Sequence, residues 1–190
     1  MSDSLLSRNG DYKKLLSYQK ADTIYQITYY FCSNFLSKGD RTVDQMIQAA
    51  RSGKQNIIEG CAASATSAKT EIKLINVAKA SLKELLADYE DYLITRGHYK
   101  WPKGSPQFEK MRELGTTHND AAYFRDLIQS RPPETIANMA IILLYQADYL
   151  LFKQLERLSR DFLENGGFTE RMYRLRVQSR KDGNNGDKKR

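Results

Sequence analysis

Residues Gln48–Ser67, QAARSGKQNIIEGCAASATS, decide the fold. The stretch holds a Gly-Lys pair at 53–54, a Glu-Gly pair at 59–60 and a run of small residues. It invites three readings: a phosphate-binding loop, a catalytic turn, or a helix built for close contact. A phosphate loop needs G-x-x-x-x-G-K-[ST] following a strand. Here Gln55 stands where the magnesium-binding hydroxyl belongs, and Gln48 replaces the leading glycine. That reading fails.

As a helix the stretch is coherent. Met46, Ala49, Ala50, Gly53, Ile57 and Gly60 fall along one broad face, and small residues there let two helix backbones approach. Gly53 inside a helix costs about 1 kcal/mol relative to alanine, so a close contact must offset it. On a neighbouring face Arg51, Gln55 and Glu59 follow i, i+4, i+8 spacing, and Asn56 with Glu59 forms a second pair. Gly53, Gln55, Asn56, Glu59 and Gly60 therefore read as a packing seam with a polar ladder that fixes helix register, because a half-buried polar group must find a partner.

Outward from this seam the chain reads as all-α. The four prolines lie at 102, 106, 132 and 133, so long stretches on either side lack the strongest helix breaker. A first helix is predicted over about 11–36, with Leu15, Tyr18, Tyr25, Thr28, Cys32 and Phe35 as its stripe, widened by Ala21, Ile24 and Phe31. The second begins near Thr42, an N-cap candidate with Gln45 three residues on. The third runs from Thr66 or Ser67 to Arg96, its apolar stripe interrupted at Lys79. The fourth starts at Pro133, a favourable first-turn residue, and stops at Gly166-Gly167. Its inward face is Ile136, Met139, Leu143, Ala147, Leu150, Leu155, Leu158 and Phe162.

The expected architecture is an antiparallel up-down four-helix bundle over residues 1–166, with helices about 40 Å long. An irregular insertion with short helices occupies about 97–132, and SPQFEKMREL and DAAYFRDLIQS are its helical candidates. Trp101 is expected to anchor it. Residues 167–190 form a basic tail, part amphipathic helix and part disordered.

Charge is unevenly placed. From Gly166 onward eight basic residues face three acidic ones, so the tail carries +5 of the net +7. Such a tail suits polyanion binding by phosphate neutralisation, or is a solvated end with no partner. Helix three carries Lys69, Lys73, Lys79 and Lys83 in its first half and Glu84, Asp88, Glu90 and Asp91 in its second, against the preference of the helix dipole. Pairing with neighbouring helices explains this order; so does a subunit or phosphate contact at the lysine end. Arg41, Arg51, Lys54, Lys69, Lys73, Arg171, Arg174 and Arg176 are the candidate nucleic-acid contacts. Twelve tyrosines suit half-wet subunit interfaces or base stacking.

Enzyme signatures are poor. His98 and His118 are 20 residues apart with no carboxylate or cysteine at metal-ligand spacing. The Glu-x-x-His pairs of a di-iron bundle are missing, as are nucleophile-elbow and Cys-His arrangements. No catalytic residue, metal or cofactor is expected. No run of 18 apolar residues occurs, so no membrane span is expected, and Cys32 and Cys61 suit a reducing cytoplasm.

The stretch RTVDQMIQAARSGKQNIIEGCAASATSAKTEIKLINVAKASLKELLADYEDYL resembles the core of the four-helix-bundle proteins encoded in intervening sequences of bacterial 23S ribosomal RNA. That family is itself similar to the accessory variability determinant of diversity-generating retroelements. The matching features are Asn56-Ile57-x-Glu59-Gly60, the Ser/Thr-rich turn 64–67, and Leu82-x-x-Leu85-Leu86. WPKGSP, SRPPETIANMAIILLYQADYLL and FLENGGFTERMYRLR extend the likeness toward a longer subgroup known as four-helix-bundle suffix proteins, over about 16–176. The resemblance implies a cytoplasmic bundle assembling as a ring, often a pentamer. In the retroelement members it implies a basic face and binding of a reverse transcriptase and nucleic acid. The functional expectation is a non-enzymatic homo-oligomer that holds RNA or DNA by its backbone. The alternatives are an adaptor for a protein partner and a purely structural oligomer.

Overall fold

A computed structural model describes residues 11–37, 39–167, 170 and 172–177. Every regular element among them is helical. A short 3-10 turn, Tyr12–Lys14, precedes α1 (Leu16–Phe35), α2 (Arg41–Ala63), α3 (Ala68–Thr95), α4 (Pro106–Thr117), α5 (Ala121–Ile128) and α6 (Pro133–Asn165). Residues 170 and 172–177 are helical as well.

Local chemistry sets the boundaries. Asp40, not Thr42, is the N-cap of α2: its Oδ1 accepts from Thr42 N at 2.9 Å. Thr42 already lies in the first turn, because Asp40 caps one residue after the positive-φ turn at Gly39. The first helix starts at Leu16, not near Asp11, because the preceding residues take a separate 3-10 turn capped by the Asp11 side chain. Ser67 caps α3 by accepting from Thr70 N. At the other end of α3, Gly97 takes φ +70°, Gly97 N donates to Ile94 O, and His98 N donates to Leu93 O at 2.8 Å. This is the Schellman arrangement, which a side chain at position 97 would strain. Both helical candidates in the insertion are present as α4 and α5.

Helices α1, α2, α3 and α6 pack in a closed cycle, each against the next and α6 back against α1, while α4 lies on α6 and α5 on α1. Their shared core contains Ile24, Ile27, Phe31, Met46, Ile57, Leu85, Tyr89 and Leu143, all fully buried. Phe31 meets the Tyr89 ring at a tilt and the Tyr92 ring edge-on, at ring separations of 5.2 and 4.8 Å. Burying a side chain of that size stabilises the fold by about 2–3 kcal/mol. The Tyr89 hydroxyl donates to Thr28 Oγ1, which donates to Ile24 O, so the buried phenol is satisfied within the core. Between α1 and α6, Ser17 Oγ donates to Gln154 Oε1 at 2.7 Å.

Helix α6 holds the longest unbroken run of buried residues among the described residues. Residues 136–144 are all buried, a fuller belt than the one-sided face predicted, because α4 covers the side turned away from α1 and α3. Leu150, Leu155, Leu158 and Phe162 are only half-buried. By length and composition α6 is apolar enough to cross a membrane, although no apolar run of 18 residues marks it in the sequence. Its most apolar window has a mean hydropathy of 1.4 and is 61% buried in the protein, as in a core helix ringed by other helices. Asn138 within the belt accepts from Trp101 N at 2.7 Å and donates to Tyr99 O and Glu134 O. That clamp, with the half-buried Trp101 ring packed on the core, fixes the insertion to α6.

Candidate functional site

The seam of α2 lies against α3. Met46, Ala49, Ala50, Gly53, Ile57 and Gly60 are all buried, as the sequence face requires. A Cβ on Gly53 would sit 2.5 Å from Leu82 Cδ2, and one on Gly60 would sit 3.2 Å from Ile75 Cδ1. Both distances are below ordinary van der Waals contact, so the glycines are what let the two backbones approach. Of the predicted polar residues Asn56 takes part in the cross-helix network, through Ser52, which lies outside the predicted ladder. Ser52 Oγ lies 2.9 Å from Ser81 Oγ across the interface, and Asn56 Nδ2 donates back to Ser52 O and Oγ. Arg51 and Glu59, the ends of the predicted ladder, are exposed, and Gln55 between them is half-buried. The serine pair carries the cross-helix hydrogen bond.

The candidate basic residues separate into groups. Arg41 is exposed at the first turn of α2, and Arg51 is exposed midway along it. Lys54 is turned inward: its Nζ lies 3.2 Å from Asp22 Oδ1 and 4.0 Å from the Tyr25 ring centre, both on α1. It is a helix-to-helix tie, not a free phosphate contact. Lys79 likewise pairs with Asp148 on α6, which accounts for the interruption in the α3 stripe. Lys69 and Lys73 are exposed in the first two turns of α3 and form no ion pair among the described residues. Arg171 lies outside the described residues, whereas Arg174 and Arg176 are exposed.

Two further arginines join this group. Glu71, buried beside Lys69 and Lys73 in sequence, has its carboxyl pushed up by burial; the charge of Arg157 pulls it down and Asp161 raises it. The start of α3 therefore lies against the last third of α6, where Arg157 and Arg160 are exposed. Arg174 is at the same end, with one guanidinium nitrogen 3.3 Å from where a Cβ on Gly166 would lie. Lys69, Lys73, Arg157, Arg160 and Arg174 thus gather around one end of the molecule, interspersed with Asp161, Glu164 and Glu170. Arg157 and Arg160 carry no sequence signal beyond their place on the polar side of the α6 period.

Toward the other end, between α2 and α3, a groove of about 600 Å³ is lined by Asp44, Glu84 and Asp88 together with Ser52 and Ser81. Burial, with Asp91 and Glu84 nearby, pushes the Asp88 carboxyl up. The charge order along α3 therefore becomes an order along the molecule.

Compared with known proteins, the chain matches no family model, no curated protein and no solved structure.

The residues considered for chemistry are occupied structurally. Cys32 and Cys61 are buried thiols, and burial pushes Cys32 up to about 12, far from a nucleophile's range. His118 stacks on Tyr123 at 3.9 Å, and His98 faces Tyr92. Among the described residues no cluster of His, Cys, Asp and Glu is arranged to hold a metal. Of the tyrosines, Tyr89 and Tyr92 are core residues, while Tyr29, Tyr99, Tyr149 and Tyr173 are exposed.

Proposed function

We propose that this chain is a non-enzymatic, cytoplasmic, antiparallel up-down four-helix bundle that associates as a homo-oligomer and holds nucleic acid by its phosphate backbone. The up-down arrangement rests on the order of partners: Gly53 and Gly60 of α2 meet Leu82 and Ile75 of α3, and Asp22 and Cys32 of α1 meet Lys54 and Met46 of α2. Along each pair, one helix ascends as its neighbour descends. Lys79 with Asp148, and Glu71 with Arg157, follow the same rule for α3 and α6.

The observation that carries the nucleic-acid reading is the gathering of exposed Lys69, Lys73, Arg157 and Arg160 at the end where α6 runs out toward the basic tail. Backbone binding requires cations at the surface that are not already spent on internal pairs. The test is fluorescence anisotropy with mixed-sequence RNA and DNA across a salt series, with light scattering to read the mass of the assembly. Neutralising four phosphates implies about a 100-fold loss of affinity between about 50 and 200 mM salt. The variant Lys69→Ser/Lys73→Ser should weaken binding equally for all sequences. Absent or salt-insensitive binding overturns this reading, and a monomeric mass overturns the oligomer.

A protein-interaction adaptor is the second reading, favoured by the exposed Tyr149, Phe152 and Leu163 along α6. Phe152 and Leu163 border a groove between α3 and α6 that also includes Asn76 and Arg157. A defined protein partner whose capture survives nuclease treatment supports it over the first.

A further inference from the structure

Lys20 is the one lysine among the described residues that is buried outright, at 1% exposure. Its ammonium donates to the carbonyl oxygens of Gly115 and, at 3.3 Å, His118, at the C-terminal end of α4. A cation there complements the partial negative charge of the helix end. The compensation is incomplete. A lysine ammonium has three donors and a full charge, and two neutral carbonyls with the Phe124 ring, its centre 5.9 Å away, leave that charge without an anion. Among the described residues no carboxylate pairs with it, and burial alone lowers its pKa to about 8.

Beside this cation a cavity of about 410 Å³ opens between α1, α4 and α6. Lys20 forms part of its wall, and Phe108, Ile142 and Leu150 supply apolar surface. At its edge Leu16 and Tyr149 stay 52% and 59% exposed despite being large and apolar. The volume suits a small ligand, and the apolar walls are joined by the polar side chains of Lys20, Arg112, Thr116, Asn119 and Gln146, which can fix orientation.

We propose that this cavity binds a small amphipathic monocarboxylate, its carboxylate on the Lys20 ammonium and its hydrocarbon body along Phe108, Ile142, Leu150 and Tyr149. A neutral amphiphile would leave the buried charge as it is. The other cation of the lining, Arg112, is exposed and already paired with Glu109 at 2.8 Å, so a dianion such as phosphate would bring excess charge against Lys20 and would leave the apolar walls uncovered. A monocarboxylate matches both the charge and the apolar walls.

The test uses the full chain with octanoate, and 1-octanol as the neutral probe of equal length, followed by isothermal titration calorimetry. At pH 7 octanoate should bind about tenfold or more tightly than 1-octanol, the range of one charge-assisted hydrogen bond. Octanoate affinity should fall as the pH rises past 8, with proton uptake measurable in buffers of different ionisation enthalpy, while 1-octanol binding stays level. Lys20→Met should remove the preference for the acid. Should that variant fail to fold, 13C,15N-labelling of the lysines lets the Lys20 Cε and Nζ signals report its titration directly: octanoate should raise its titration midpoint. Tyr149→Ala, at an exposed rim position, should weaken both probes together. Equal binding of octanoate and 1-octanol, no saturable octanoate binding, or a Lys20 midpoint unmoved by saturating octanoate overturns the proposal.

Discussion

Gly53 of α2 and Leu82 of α3 meet so closely that a methyl group on the glycine would lie 2.5 Å from Leu82 Cδ2. Leu82 is itself buried in the core, so its end cannot swing away into solvent. Alanine normally gains about 1 kcal/mol over glycine inside a helix. Here Gly53→Ala should destabilise by about 1–3 kcal/mol, because overpacking outweighs propensity. Urea unfolding of Gly53→Ala, Leu82→Ala and the double variant checks this. The double variant should cost less than the two single changes together; simple additivity would mean the contact is not the cause.

Lys54 and Lys69 should behave oppositely. Lys54→Met breaks the pair with Asp22 and the contact with the Tyr25 ring, and should cost about 1 kcal/mol of stability. Its effect on polyanion affinity should stay within about twofold, since the ammonium is already engaged inside the protein. Lys69→Ser should leave stability within about 0.5 kcal/mol, as is usual for an exposed position, and weaken polyanion binding. Urea unfolding and anisotropy on the same preparations separate the two effects.

Stability should rise with pH through Lys20. In the folded protein this group titrates at about 8, against about 10.4 for an unperturbed lysine. Between those values the unfolded chain holds a proton that the folded chain has released, so alkali favours folding. Cys32 and Tyr89 act in the opposite sense. Burial raises both, Cys32 to about 12, so the unfolded chain ionises first and stability falls as pH passes the ordinary thiol and phenol values. Comparison with Lys20→Met isolates the lysine. From about pH 7.5 to 10 the unfolding free energy of the unmodified sequence should gain about 2 kcal/mol on that of the variant. Parallel pH profiles would refute this.

Asn138→Ala should cost about 2–4 kcal/mol, because it leaves Trp101 N and Tyr99 O without their partner. Trp101 is the only tryptophan of the chain, so its fluorescence reports the insertion directly. The variant should show faster exchange of the Trp101 amide proton, with the far-ultraviolet helix signal retained at low temperature.

Features carried by spacing were legible in the sequence, whereas features carried by partners far along the chain were not. The seam of α2 could be read because small residues recurred at helical intervals, and Gly53 and Gly60 do face α3. The reversed charge order of α3 was visible too, but not that Lys79 answers Asp148, 69 residues away. Lys20 gave no signal: its partners are backbone carbonyls of residues 115 and 118, which have no side-chain chemistry to read. Thr42 with Gln45 matches the capping-box spacing, yet Asp40 is the cap, because the spacing alone does not show where the turn at Gly39 ends. The tie between α2 and α3 through Ser52 and Ser81 was missed because serines on a small-residue face read as filler.

The amide of Asn138 has a consequence for assembly. It fastens the strand of chain leaving α3 to the opening turns of α6, so that connection is held by hydrogen bonds at both ends of one side chain. Trading α6 between neighbouring copies would require this hinge to straighten, giving up those bonds before any new ones form. Copies that associate should therefore do so as finished subunits and separate on dilution without unfolding.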